Sequence, residues 1–116
     1  MAVSPTAPLP EAGQIWYLEY PRLEDSDYAH FVLVTSCAND TVYFYYLATE
    51  RKDRDDLEIN QHRPEFRKTG LKHTSHVLVN HYHYVPLDGF LAEAVYKGSV
   101  EGGLKKIVEN WVGEKF

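Results

Sequence analysis

Cysteine is scarce in this chain. Cys37 is the single one among 116 residues, so no disulfide can form within the molecule. A lone thiol suits a reducing compartment, and the plain role for Cys37 is a small residue at a strand end. Long apolar runs are missing as well. None reaches the ~18 residues that a spanning helix needs, so no membrane segment is expected. Residues Met1 to Pro10 have no basic start and no long apolar stretch, and do not read as a signal peptide. These absences together predict a cytoplasmic protein. Positive charge is not in excess either: 12 Lys and Arg stand against 17 Asp and Glu, a net charge of −5. That balance argues against a surface given over to nonspecific nucleic-acid binding. Internal repeats, heptads and low-complexity tracts are absent, and the length fits one domain.

What is present is aromatic: nine tyrosines, five phenylalanines and two tryptophans. Such residues favour half-buried pleated surfaces, so a mostly-β fold is expected. Pro5, Pro8 and Pro10 mark residues 1–12 as a flexible arm, with residues 13–116 forming the domain. Gly13 opens a strand over Gln14–Tyr20, stopped by Pro21, in which Trp16, Leu18 and Tyr20 share a face. Arg22 to Ala29 reads as an acidic loop. The run His30–Thr35 is apolar almost throughout, as in a strand covered on both faces. Ala38-Asn39-Asp40 is a turn into Thr41–Thr49, the strongest strand signal of the chain.

Further along, Leu57-Glu58-Ile59 alternates, residues 60–76 read as irregular, and Val77 to Val85 is a strand ended by Pro86. Within that strand His81 and His83 point to one side, Tyr82 and Tyr84 to the other. Asp88-Gly89 reads as a turn, and Leu91 to Lys97 is open between strand and helix. Ser99 is the expected N-cap of a final helix whose apolar stripe is Val100, Leu104, Ile107, Val108, Trp111 and Val112, with Gly113 as C-cap. Gly102 and Gly103 weaken its first turn by about 1 kcal/mol each relative to Ala, so the helix must lean on the sheet.

Charge is unevenly spread. Residues 51–72 hold Arg51, Lys52, Arg54, Arg63, Arg67, Lys68 and Lys72, seven of the 12 basic residues, with five acids. Two readings stand: a solvated mixed-charge loop, or a local edge that contacts phosphates through Arg51, Lys52, Arg54, Arg67 and Lys68.

Several segments, in order, resemble the MazF/PemK toxin family. Gly13-x-Ile15 with Trp16, Leu18 and Tyr20 resembles its first strand, and Phe31 to Ser36 its second. Leu47-Ala48-Thr49 resembles the third strand, which brings a threonine to the active site. Gly70-Leu71 with Val77 to Val85 resembles its Gly-Leu turn and dimer-facing strand. Lys97-Gly98-Ser99-Val100, followed by Leu104 and Ile107, resembles the start of its last helix. The resemblance implies a small SH3-like barrel of about five to seven strands with one C-terminal α-helix. It also implies a homodimer that cleaves single-stranded RNA without metal or cofactor and is neutralised by an antitoxin protein. One position departs from the family pattern. Where its Arg-Pro pair precedes the second strand, this chain has His30 and Phe31.

RNA cleavage without metal needs a base for the 2′-hydroxyl, an acid for the leaving 5′-oxygen and stabilisation of the charged phosphorane. Histidine, with a pKa of about 6.5, suits the first two tasks. His30, His81 and His83 are the candidates, with Thr49 as a phosphate hydrogen-bond donor and Asp25 or Glu24 to orient an imidazole. The plainer reading makes the histidines edge-capping or tyrosine-packing residues and Thr49 an ordinary β-branched strand residue. His81-x-His83 can also share a metal ion, but no spacing names further ligands. Tyr43, Tyr45, Tyr82 and Tyr84 divide among base stacking, a dimer interface and the core. Two functions therefore remain open: an endoribonuclease in which His30 replaces the arginine, or a barrel without catalysis that acts as a protein-interaction or inhibitory module.

Overall fold

A computed structural model describes residues 9–18 and 30–115. The acidic loop with Glu24 and Asp25, the end of the expected first strand at Glu19 and Tyr20, and residues 1–8 of the arm lie outside the described residues. The elements follow in the order β1 (Gln14–Leu18), β2 (His30–Ala38), β3 (Thr41–Ala48), β4 (Leu57–Ile59), α1 (Phe66–Thr69), β5 (Ser75–Pro86), α2 (Leu87–Glu93), β6 (Ala94–Ser99) and α3 (Gly102–Lys115). The strands form one curled antiparallel sheet in the order β4-β5-β3-β2-β1-β6. The expected mostly-β fold with a C-terminal helix is thus what the chain adopts.

The β2–β3 hairpin turns at Asn39 and Asp40, whose φ angles of 54° and 60° are left-handed. Both residue types tolerate that region, and such turns match the twist of the flanking strands. Ala38 pairs with Thr41 across the turn, and a bulge at Thr35 then shifts the register by one, so that Val34 faces Phe44 and Val32 faces Tyr46. Because side chains alternate, the two sheet faces receive different sets. Ile15, Leu33, Tyr45 and Leu47 pack beneath α3 with Leu104, Val108 and Trp111. Trp16, Leu18, Val32, Val34, Phe44 and Tyr46 pack on the other face with Phe90 of α2. Val32, Leu33 and Val34 have no exposed surface, which explains the unbroken apolar run of β2.

Several boundaries differ from the sequence reading. The 60–76 stretch contains α1, whose last turn is closed by Gly70 at φ 76°. Asp88 and Gly89 lie inside α2 rather than in a turn, and Leu91 to Lys97 is divided between α2 and β6. Ser99 is not the N-cap. It ends β6, and its hydroxyl donates to Glu101 Oε2 at 2.9 Å, while the helix begins at Gly102. The capping contact comes instead from a distant carboxylate: Leu104 N–H donates to Glu65 Oε2 at 3.2 Å. That satisfies one of the donors every helix start leaves open. Gly113 is an interior residue, since α3 continues to Lys115. Ile107 sits at the edge of the apolar stripe and is 39% exposed. Trp111 anchors the helix end, its indole N–H donating to the Asp55 carbonyl at 2.9 Å and its ring edge-on to Tyr45.

Candidate active site

The β3–β5 ladder is irregular where it matters. Tyr45 pairs with Tyr82 and Leu47 with Val77, so Tyr46 alone faces the four residues Leu78 to His81. This wide bulge bends β5 and re-aims the side chains around it. The Tyr46 ring is fully buried, and two imidazoles from different strands meet it edge-on. His30, at the start of β2, lies 5.1 Å away at 79°, and His83, on β5, lies 5.0 Å away at 77°. The two imidazoles are therefore no more than about 10 Å apart. His81 follows at 6.4 Å from His83. The expected orientation of His81 and His83 toward one side thus leads to the face that also carries His30.

Thr49 is exposed, one residue beyond the end of β3. Continuing the β2–β3 register by two places from Val32 opposite Tyr46 sets His30 opposite Ala48, the chain neighbour of Thr49. Asp25 lies outside the described residues. Tyr82 does not join the histidines. It packs on the opposite face, 4.7 Å from Tyr45 and stacked on Tyr43 at 6.3 Å, with its hydroxyl 3.4 Å from Thr35 Oγ1. Tyr45 is a core residue, whereas Tyr84 is 69% exposed beside Tyr43. The basic residues divide between two elements. Arg51, Lys52 and Arg54 are exposed on the loop after β3, and Arg67 and Lys68 are exposed on α1. His81 and His83 gain no third ligand: among the described residues no three His, Cys, Asp or Glu side chains converge as a metal set.

His76 and Glu58 belong to this neighbourhood and escape the sequence reading. His76 pairs with Ala48 on one side and Glu58 on the other, so Glu58, His76 and Ala48 form one row across three strands. His76 Nε2 lies 3.9 Å from Glu58 Oε2, too long for a hydrogen bond but close enough for an ion pair. Alternation alone shows Glu58 pointing away from Leu57 and Ile59. Only the β4–β5 pairing shows what it points toward.

Two buried side-chain nitrogens among the described residues lack a hydrogen-bond partner, His76 Nδ1 and His83 Nε2. Both are on β5. A protonated His83 would bury an unpaired N–H, and burial accordingly lowers its pKa, with repulsion from His81 acting the same way. His83 is thus held in the neutral form that a general base requires. The same shift ties stability to pH. A folded-state pKa below the unfolded value of about 6.5 gives stability that is complete above that value and is lost as pH falls through the folded one. The melting temperature should fall between pH 7.5 and pH 5, and His83→Gln should remove part of that fall. An unchanged pH dependence in the variant would refute the assignment.

No family model and no curated protein matches the chain by sequence. A solved structure does match by shape: MazE–MazF from Deinococcus radiodurans (form III), at a TM-score of 0.62 and 14% identity. The alignment covers 91% of this chain and 94% of that one. The fold is MazF-like. In this sheet His30 at the start of β2 and His83 on β5 both pack against Tyr46, His81 lies in the bulge of β5, and Thr49 lies just past the end of β3.

Proposed function

We propose that this MazF-like protein is an endoribonuclease of single-stranded RNA that works through the histidines around Tyr46 and is restrained by an antitoxin-type protein. The observation that carries the reading is the pair of imidazoles, His30 and His83, brought from different strands onto one tyrosine ring. In this mechanism neutral His83 accepts the 2′-hydroxyl proton as the 2′-oxygen attacks phosphorus. The P–O5′ bond breaks, and a protonated imidazole, His30 or His81, delivers the proton to the leaving oxygen. The products are a 2′,3′-cyclic phosphate and a 5′-hydroxyl end. Thr49 donates a hydrogen bond to a phosphate oxygen, and the exposed Arg51, Lys52 and Arg54 hold neighbouring phosphates. A MazF-like fold supports the partner, and the homodimer and cytoplasmic setting belong to the same reading. No described helix is long and apolar enough to cross a membrane.

His30 stands where the resemblance expects an arginine, and this single position favours the other reading, a barrel that binds a protein partner without cutting RNA. The two separate in one assay of purified protein on mixed-sequence RNA with and without EDTA. Cleavage that ignores the chelator and disappears in His30→Ala is the expected result. RNA left intact at micromolar protein would establish the binding module instead.

A further inference from the structure

We infer that Asp56 is the positioning residue of the site, holding the histidine-bearing bulge of β5 and the basic loop 51–54 together as one platform for the phosphodiester backbone of single-stranded RNA. The inference rests on the RNA-cleaving reading and adds to it how the histidines and the loop are kept in step. Its basis is one side chain. The Asp56 carboxylate is buried, and its Oδ2 accepts the backbone N–H of Lys52 and of Asp53, each at 2.8 Å. Its Oδ1 accepts the N–H of Val79 at 2.9 Å, 23 residues along the chain. Val79 is one of the four residues that face Tyr46 alone. A bulged residue loses its ladder partner, and a buried N–H without one is costly. Asp56 supplies that partner. The bulge therefore keeps its shape only while the loop is docked.

Other contacts run along the same seam. Asn80 Nδ2 donates to Asp53 Oδ2 at 3.2 Å, and Arg51 Nη1 to the Arg54 carbonyl at 3.0 Å. The indole of Trp111 reaches the Asp55 carbonyl from α3. A loop so tied is not a freely solvated run of charges. Lys52 and Arg54 are exposed on a backbone anchored to Val79, two residues from His81. Burial opposes ionisation of Asp56, but the N–H bonds from Val79, Lys52 and Asp53 outweigh it and hold the carboxyl below its usual range. The clamp is therefore intact at neutral pH.

The test uses the full chain, imidazole NMR and a 2′-O-methyl single-stranded oligonucleotide, which can bind but has no free 2′-hydroxyl to attack. In Asp56→Ala the His81 and His83 signals should shift, with the His83 titration midpoint rising toward the ordinary histidine value. Oligonucleotide affinity should drop about tenfold with a shallower salt dependence, because fewer phosphates are contacted together. Should Asp56→Ala fail to fold, Asp56→Asn keeps one acceptor oxygen and should show the same changes in smaller size. A folded variant whose His81 and His83 signals and midpoints match wild type overturns the inference, even if its melting temperature falls. If the variant shows these shifts while wild type leaves RNA uncut, the cleavage reading falls and the clamp stands.

Discussion

His83→Ala should lower kcat/KM for RNA cleavage by about 10²- to 10⁴-fold, the usual contribution of a positioned general base. That is roughly 3–5 kcal/mol of barrier, larger than the effect expected from any one exposed basic residue. Packing prepares the group for this role. Phe44 and Tyr46 pack against the ring, and its Nε2 is buried without a partner. Since burial and His81 both lower its pKa, the acidic limb of the pH–rate profile should have its midpoint below about 6.5. His81→Ala removes the second of those causes and should move that limb upward. The half-buried ring is not one of the core residues, so loss of folding does not explain the drop, and thermal melting verifies this. A folded His83→Ala that cuts RNA within twofold of wild type removes His83 from the chemistry.

Gly98→Ala should have the largest effect on stability. Helix α1 crosses β6 backbone to backbone. A Cβ at Gly98 would lie 2.6 Å from the Thr69 carbonyl carbon, and one at Gly70 would lie 2.8 Å from that of Lys97. Neither clash can be relieved by a rotamer change, because the obstructing atoms are main chain. Gly70 also needs its left-handed φ of 76°. Between β4 and β5 in sequence, α1 leans on β6 at the opposite edge of the sheet, so this crossing helps to curl the sheet closed. We expect Gly98→Ala to cost about 3 kcal/mol or more, at the upper end for overpacking. For a domain of this size the melting temperature falls on the order of 10–20 °C. Gly113→Ala is the control. A methyl group there would meet nothing within 4 Å, and the residue sits inside α3, so alanine should stabilise by about 0.5–1 kcal/mol. Equal urea midpoints for Gly98→Ala and wild type would show that the crossing is not tight in solution.

Much of the architecture is written in short-range pattern. The alternation of β1 to β3, the Asn39-Asp40 turn and the spacing of Leu104, Val108 and Trp111 depend on neighbours a few residues apart, where periodicity and turn chemistry act. The common side of His81 and His83 follows from the same two-residue period. The ends of α3 depart from the local pattern because glycine and serine propensities are opposed by tertiary contacts. Glu65 caps the helix from 39 residues away, and Trp111 holds its last turns against Asp55.

By itself the sequence determined that the chain forms a β-sheet with a terminal helix, and which histidines share a strand face. Only the tertiary structure decided that His30 and His83 meet on Tyr46, that Glu58 lies beside His76, that Tyr82 turns away from the histidines, and that α1 closes against β6. The physical reason is that these contacts come from pairing register and a bulge between strands far apart in the chain. Their geometry is fixed by how the whole sheet buries its two apolar faces, and no local run of residues encodes it.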